Sequence, residues 1–375
     1  MANHEIIVIG ASAGGVEALA ALVQGLPADL PASLFVVLHL GPHSASVLPQ
    51  ILSQKGTLPA RHARDGEAIE PGRIYVASPD RHLLVRHGRV RVSLGPKENS
   101  LRPAADPLFR SAAQAYGRRV VGVVLSGTLD DGTAGLQAIK SRGGVTIVQD
   151  PRDALFAGMP RSALEGVTID HCLPITEIAP LLVRLAYEPV KGGGEQPMSD
   201  EYEKEAEIAE FDLAVIQDDA QRPGVPSGFA CPDCGGALWE LHEGELIRFR
   251  CRVGHAWSPS SLLAEQSEAL ESALWTALRA LEERAALSER VAERLVLRGH
   301  ARPAVRFREQ AAESRHRAAL IRQVLLNGEP NAEAAAARTT AEAEAEAADL
   351  EEEADEPAPR GEAGPESPPG AGRSG

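Results

Sequence analysis

No run in this sequence approaches the ~20 consecutive apolar residues that a bilayer span needs. The N-terminus has no basic segment, and its first apolar run, Ile6–Ile9, is too short for the core of a signal peptide. Together these point to a cytoplasmic protein that is not inserted in a membrane. Aromatic residues make up only 4% of the chain while Ala, Leu, Val and Gly abound, so the core must be largely aliphatic. There is no basic stripe of the kind that tracks a phosphate backbone, which argues against nucleic acid as a partner. Cysteine is scarce too, with four in 375 residues. Three of them, Cys231, Cys234 and Cys251, fall close together, a pattern of metal ligands rather than of a disulfide framework. The net charge of -15 is unevenly spread. Residues 1–188 hold 18 Lys/Arg against 17 Asp/Glu, and residues 189–375 hold 20 against 36. The first half therefore reads as an ordinary neutral globular domain, and the acidity lies in the second.

Across 5–187, short β-branched runs alternate with helical patterns. Strands are expected at Ile6–Ile9, Leu34–Leu38, Ile74–Ala77, Leu83–Val85, Val90–Ser93, Val120–Leu125, Val145–Val148 and Val167–Ile169, and helices at Val16–Gln24, Ser46–Ser53, Pro107–Gly117, Gly135–Ser141 and Ile175–Tyr187. This alternation predicts an α/β fold, a doubly wound and mostly parallel sheet with helices on both faces. The stretch 74–93 reads as a small antiparallel insertion. From 189 the chain turns Gly/Pro-rich and then charged, as a linker would be over 189–228. A zinc-ribbon-like module is expected over 229–257, and an α-helical hairpin over 258–328 with helices at 259–297 and 304–326. Ser258 caps the first of these, with Pro259 at its first position. Leu263, Leu270, Leu274, Leu278 and Leu281 read as the packing seam of the hairpin, a partner-binding or coiled-coil face being the alternative. Residues 329–375, Ala/Glu-rich and then Pro/Gly/Ser-rich, are expected to form an acidic disordered tail.

The opening segment, "EIIVIGASAGGVEALAAL", reads as strand, glycine turn and helix. Ser12 stands where a dinucleotide fingerprint requires its second glycine, and no acidic residue follows about 20 positions later, so a nucleotide site is disfavoured. Gly10 to Gly14 also match G-x-S-x-G, the nucleophile elbow in which a tight strand-to-helix turn lifts a serine above a sheet. An N-cap serine is the plainer alternative. A nucleophilic serine needs a base and a carboxylate to orient that base. His39 ends the strand Leu34–Leu38, and Asp130 and Asp131 follow the strand in "RRVVGVVLSGTLDDGTAGL". Three complementary side chains thus fall at three strand ends, where doubly wound sheets bind ligands. Their order, Ser…His…Asp, is not that of the α/β-hydrolases.

At these residues the sequence resembles the catalytic domain of the chemotaxis protein-glutamate methylesterases (CheB type). The resemblance covers roughly residues 4–187 and rests on "IGASAGGVEAL", "VVLHLGP", "DGEAIEPGRIYVASPDRHLLV", "VVLSGTLDDGTAGLQAIKSRGG" and "FAGMPRSAL". It implies Ser12 as nucleophile, His39 as general base and Asp131, rather than Asp130, as the third member. It also implies hydrolysis of glutamate methyl esters on chemoreceptor-type proteins, with glutamine deamidation in many members and no catalytic cofactor. Backbone N–H groups near Ala13 and Thr128 are candidates for the oxyanion hole. Two departures, Ala13 for the family's usual Thr and Thr128 for its frequent Met, bear on substrate preference. The family's usual receiver domain is not found in this sequence, so regulation by its phosphorylation is not expected within the chain. A non-catalytic signalling scaffold is the alternative reading of the same domain.

The segment "CPDCGGALWELHEGELIRFRCRVGHAW" supplies Cys231, Cys234, Cys251 and His255, four soft or borderline ligands at zinc-ribbon spacing with room for a hairpin between the pairs. A closed four-ligand set implies a structural zinc; a redox pair or unliganded buried cysteines are the alternatives. The C-terminal helices are candidates to bind a receptor methyltransferase or another signalling partner. His43, His62, His82, His87, His171 and His242 read as surface or hydrogen-bonded histidines, and Cys172 as a small buried residue.

Overall fold

A computed structural model describes residues 3–41, 46–190, 200–210, 224–243 and 246–327. Its centre is a parallel sheet of seven strands in the order β3-β4-β2-β1-β7-β8-β9. These are β1 (Ile6–Ala11), β2 (Ser33–Leu38), β3 (Ala60–His62), β4 (Ile74–Val76), β7 (Val120–Val124), β8 (Val145–Gln149) and β9 (His171–Leu173). The inner strands are near-continuous apolar runs because both faces of the sheet are covered. Alternation along them sorts the side chains between two cores. Ile7, Ile9, Leu34 and Val36 pack with the helices α1 (Gly15–Gln24), α2 (Leu48–Lys55) and α6 (Ile175–Tyr187). Ile6, Val8, Phe35 and Val37 face the other way, toward α3 (Ala105–Tyr116), α4 (Thr133–Ser141) and α5 (Gly158–Gly166). The antiparallel hairpin of β5 (His82–Arg86) and β6 (Arg89–Ser93) packs on this second core; the antiparallel insertion expected over 74–93 is thus confined to 82–93, since β4 pairs parallel with β2 and β3 in the main sheet.

Four elements depart from the sequence reading. Strand β3 is only three residues long and was not expected. The last strand lies at His171–Leu173 rather than Val167–Ile169, because Val167 caps the C-terminus of α5, itself unexpected, its N–H donating to the Ala163 carbonyl. Within the expected linker, Asp200–Ala209 forms a helix, α7, which packs against α3. Its Glu205, Ala206, Ile208 and Ala209 are buried. Of that stretch 191–199 and 211–223 lie outside the described residues, as does the expected tail at 329–375, while its last residues from Val225 belong to a strand of the C-terminal sheet rather than to a linker.

The C-terminal module is a four-stranded antiparallel sheet followed by two long helices. The strands are β10 (Val225–Ala230), β11 (Ala237–Glu243), β12 (Leu246–Cys251) and β13 (Ala256–Trp257). The helices α8 (Pro259–Leu297) and α9 (Ala301–Asn327) form the expected hairpin. Ser258 is the N-cap of α8, its Oγ accepting from the Ser261 N–H. Only part of the leucine stripe lies in the seam between the two helices: Leu278 is buried and Leu274 and Leu281 are half-buried, whereas Leu263 and Leu270 are 64% and 62% exposed. From Leu278 the buried line continues through alanines, Ala285 and Ala292 on α8 facing Ala304, Ala311 and Ala318 on α9, each series at seven-residue intervals. Small residues at one heptad position let the helices approach closely, which a row of leucines would prevent.

Candidate active site

Topology gathers the candidate residues. The strands run outward from β1 through β2 to β4 and resume on its other side with β7, so the crevice where the order reverses opens at the C-terminal ends of β1 and β7. Ser12 follows β1, His39 follows β2, and Asp131 lies on the loop between β7 and α4. Parallel register pairs Ala11 with Leu38, and the His39 N–H donates to the Ala11 carbonyl at 3.1 Å, which sets Ser12 and His39 side by side one step beyond the last pair.

The Ser12 turn is built as an elbow. The N-cap of α1 is Gly14, not Ser12, and Gly14 sits at φ +69°. A Cβ there would lie 2.8 Å from Ser126 Oγ and 2.9 Å from Leu155 Cβ, so glycine serves both the backbone conformation and the packing. Ser12 is held through its backbone, its N–H donating to the Ser126 carbonyl at 2.9 Å and its carbonyl accepting from the Gly15 N–H at 2.8 Å. Its hydroxyl makes no hydrogen bond among the described residues. Neither do the backbone N–H groups of Ala13, Gly14 and Thr128, the first and last of which the sequence reading named as oxyanion donors. Ser126 braces the turn: its Oγ donates to the Ala13 carbonyl at 2.8 Å and accepts from the Phe156 N–H at 2.9 Å. Its own N–H donates to Gln149 Oε1.

His39 and Asp131 are joined directly, His39 Nε2 lying 2.7 Å from Asp131 Oδ2, with both side chains buried. This leaves Nδ1 as the ring nitrogen free to exchange a proton with Ser12. Asp131 also accepts from the N–H groups of Ala105 at 2.5 Å and Asp106 at 3.2 Å, at the N-terminus of α3. Burial pushes the Asp131 pKa up, but the His39 hydrogen bond and charge, together with these two donors, outweigh it and hold the carboxyl below its ordinary value. Asp131 is therefore an anion throughout the neutral range. Ser12, His39 and Asp131 converge on one crevice, although Ser12 and His39 are not hydrogen-bonded to each other. His82 is buried and structural, bonded to the Pro96 carbonyl and the Ala104 N–H, while His43 lies outside the described residues.

The sequence reading missed a buried charge cluster behind the site. Asp106 accepts from the Gly132 and Gly135 N–H groups at 3.0 and 2.7 Å, so Asp131 and Asp106 reciprocally cap α3 and α4. Burial, reinforced by the Asp131 charge, pushes the Asp106 pKa up to about 8. Next to it, Arg110, Arg248, Arg250, Glu98 and Glu205 are all buried. Glu98 receives Arg110 at 2.5 Å, Arg248 at 2.9 Å and Arg250 at 3.1 Å, and Glu205 receives Arg248 at 3.0 Å. Glu205 also bonds Arg250. Three arginines thus face three acids from four segments of the chain. The one sequence signal was "IRFRC", where strand alternation places Arg248 and Arg250 on the same face.

A second cluster lies in the C-terminal module. The donor atoms of Cys231, Cys234, Cys251 and His255 all fall within 4.8 Å of one another. The Cys234–Cys251 sulfurs are 3.6 Å apart and Cys231 Sγ is 3.7 Å from His255 Nδ1. A tetrahedron with bonds of ~2.3 Å has edges of roughly 3.8 Å, so the set fits zinc. Two tight turns carry the ligands, Gly235 N–H donating to the Cys231 carbonyl and Gly254 N–H to the Cys251 carbonyl. The Trp257 indole N–H points at Cys231 Sγ at 3.4 Å.

The CheB methylesterase family model matches residues 7–182. A putative protein-glutamate methylesterase/protein-glutamine glutaminase of Leptospira interrogans is 39% identical over 184 residues, covering 49% of this chain and 95% of that protein. The chain belongs to the CheB methylesterase family. Protein-glutamate methylesterase/protein-glutamine glutaminase 2 of Anaeromyxobacter dehalogenans is 44% identical over 177 residues, 47% of this chain and 52% of that one. The chain thus spans about half the length of that relative. The crystal structure of the Thermotoga maritima CheB methylesterase catalytic domain is 34% identical and covers 48% of this chain and 98% of that one, with a TM-score of 0.47. All of the active-site residues described above up to Asp131 fall inside the CheB methylesterase match, and the Cys/His cluster falls outside it.

Proposed function

We propose that this protein is a serine hydrolase that removes methyl groups from glutamate methyl esters of chemoreceptor-type proteins, and that Ser12, His39 and Asp131 are its catalytic residues. The observation that carries the reading is the buried His39–Asp131 pair beside a serine elbow whose hydroxyl and neighbouring N–H groups have no partner among the described residues. Ser12 Oγ attacks the ester carbonyl as His39 Nδ1 takes its proton, and Asp131 keeps the other ring proton on Nε2 and stabilises the imidazolium. The Ala13 and Thr128 N–H groups receive the oxyanion, one such donor being worth about 2.7–4 kcal/mol. His39 returns the proton to the departing methanol, then activates the water that hydrolyses the glutamyl–serine ester. Amide attack by the same route gives glutamine deamidation, the second activity in the relatives' names. The chemistry needs no cofactor.

The Cys231–Cys234–Cys251–His255 set holds a structural zinc in this proposal, all four positions being filled by protein ligands and none left for substrate. Methanol release from a methylated chemoreceptor, with wild type against Ser12→Ala, tests the catalytic reading. Loss of release and of labelling by a serine-reactive phosphonate is expected, whereas undiminished release by Ser12→Ala overturns it.

A further inference from the structure

The C-terminal module does not hang from the catalytic domain on a tether; it grips the loop that carries Asp131. Asp130, the residue before it, accepts hydrogen bonds on one oxygen from the Ser258 hydroxyl at 2.8 Å and the Ser261 hydroxyl at 3.0 Å. Ser258 is the N-cap of α8 and Ser261 lies in its first turn. The preceding residues are bound to the catalytic domain through their backbone. The Ala256 carbonyl accepts from the Asn99 N–H at 2.8 Å, the Ala256 N–H donates to the Lys97 carbonyl at 3.2 Å, and the Ser258 N–H donates to Asn99 Oδ1 at 2.8 Å. Ser100 Oγ reaches Glu265 on α8 at 3.1 Å.

The loop needs this grip. Leu129 sits at φ +59°, a left-handed conformation that a leucine keeps only where its surroundings impose it. Its carbonyl is held by the Ser162 hydroxyl at 3.0 Å, and Gly132 on the other side by Asp106. The serines of α8 supply the third hold, on the residue next to Asp131. A second route runs through the charge cluster. Arg248 of β12 lies between Glu98, Glu205 and Asp106, and the Asp106 N–H donates to Asp131.

We infer that Ser258 and Ser261 are positioning residues of the esterase site, acting through Asp130 to set Asp131 against His39. This rests on the catalytic reading above. The α8 cap thereby makes the C-terminal module part of the catalytic apparatus, and hydrolysis depends on its staying docked. A misplacement of about 1 Å in such a pair can cost a factor of 10² in rate.

The test uses the full chain and a peptide bearing γ-methyl glutamate. Ser258→Ala/Ser261→Ala is expected to lower kcat about 10- to 100-fold with KM within about twofold. Ser258→Thr, which keeps the hydroxyl, restores most of the rate. Ser261→Ala alone leaves the α8 cap intact and shows an intermediate loss, which guards against a misfolded double variant. The second readout is the proton resonance of the His39–Asp131 hydrogen bond, assigned by its disappearance in His39→Gln. It should shift or broaden in the double variant while the melting temperature of the catalytic domain holds. Wild-type kcat and an unmoved resonance in the double variant overturn the inference. If wild type itself releases no methanol, the catalytic reading fails, and the resonance alone still decides whether the serines position Asp131.

Discussion

Replacing Asp131 by asparagine isolates the carboxylate's role, and the outcome follows from its neighbours. Oδ2 accepts from His39 and from the Ala105 N–H, and Oδ1 accepts from the Asp106 N–H. An asparagine has one acceptor oxygen and one NH₂ for these two positions. With the oxygen toward His39, the NH₂ faces the Asp106 N–H; turned the other way, it faces the Ala105 N–H and His39. Either orientation strands a buried backbone donor, at a cost of about 1–3 kcal/mol of stability. In the second orientation His39 must present Nε2 as an acceptor, which moves its proton to Nδ1 and removes the base from Ser12. In both, the charge that balances the imidazolium is gone. Loss of this carboxylate from a Ser-His-Asp system lowers kcat by about 10⁴, which is about 5 kcal/mol in the barrier. Asp131→Asn should therefore fold, lose about 1–3 kcal/mol by urea unfolding, and release methanol about 10³- to 10⁴-fold more slowly than wild type. A rate within tenfold of wild type, still dependent on Ser12, would refute the assignment of Asp131.

Three other perturbations probe the frame around the site. Glu205→Ala leaves Arg248 and Arg250 short of a buried counter-charge and should cost about 3–5 kcal/mol; denaturant unfolding followed by tryptophan fluorescence would show it. Arginine charges hold the Glu98 and Glu205 pKa values below the ordinary 4.5 against the upward push of burial. Their stabilisation is thus present above that value and lost as pH falls through the depressed ones, so wild type should undock on acidification to below the ordinary glutamate value. Asp106 has the opposite sign. Its folded pKa of about 8 lies above its unfolded one, so the folded state binds the extra proton between them and stability falls as pH rises toward 8. Asp106→Asn keeps the acceptor for Gly132 and Gly135, and should flatten that slope and surpass wild type in melting temperature at pH 9. The metal set is checked by thiol counting. Cys172 is exposed and free and should react at once, whereas Cys231, Cys234 and Cys251 should react only after a chelator removes about one equivalent of zinc.

Much of the architecture is a local matter and could be read along the chain. The runs Ile6–Ile9 and Leu34–Leu38, buried on both faces, require a covered parallel sheet. The Gly14 turn, the Ser258-Pro259 start of α8 and the two ligand pairs of the Cys/His cluster are set by residues a few positions apart. Where the reading failed, the deciding contact was distant. The leucines near 263–270 have helical spacing, yet which helical face is buried depends on α9, and the alanine heptads won because two backbones come close. Helix α7 looks like linker because six of its ten residues are charged, but Glu205 is buried against two arginines more than 40 residues away. Ser12, His39 and Asp131 could each be named from the chain, since glycines, a strand end and a paired aspartate mark them. The choice of Asp131 over Asp130 came from the family resemblance and not from the residues alone, and that Asp130 bonds Ser258 and Ser261 could not be read there. Two adjacent carboxylates are chemically alike, and only the packing of α3 on one side and α8 on the other distinguishes them.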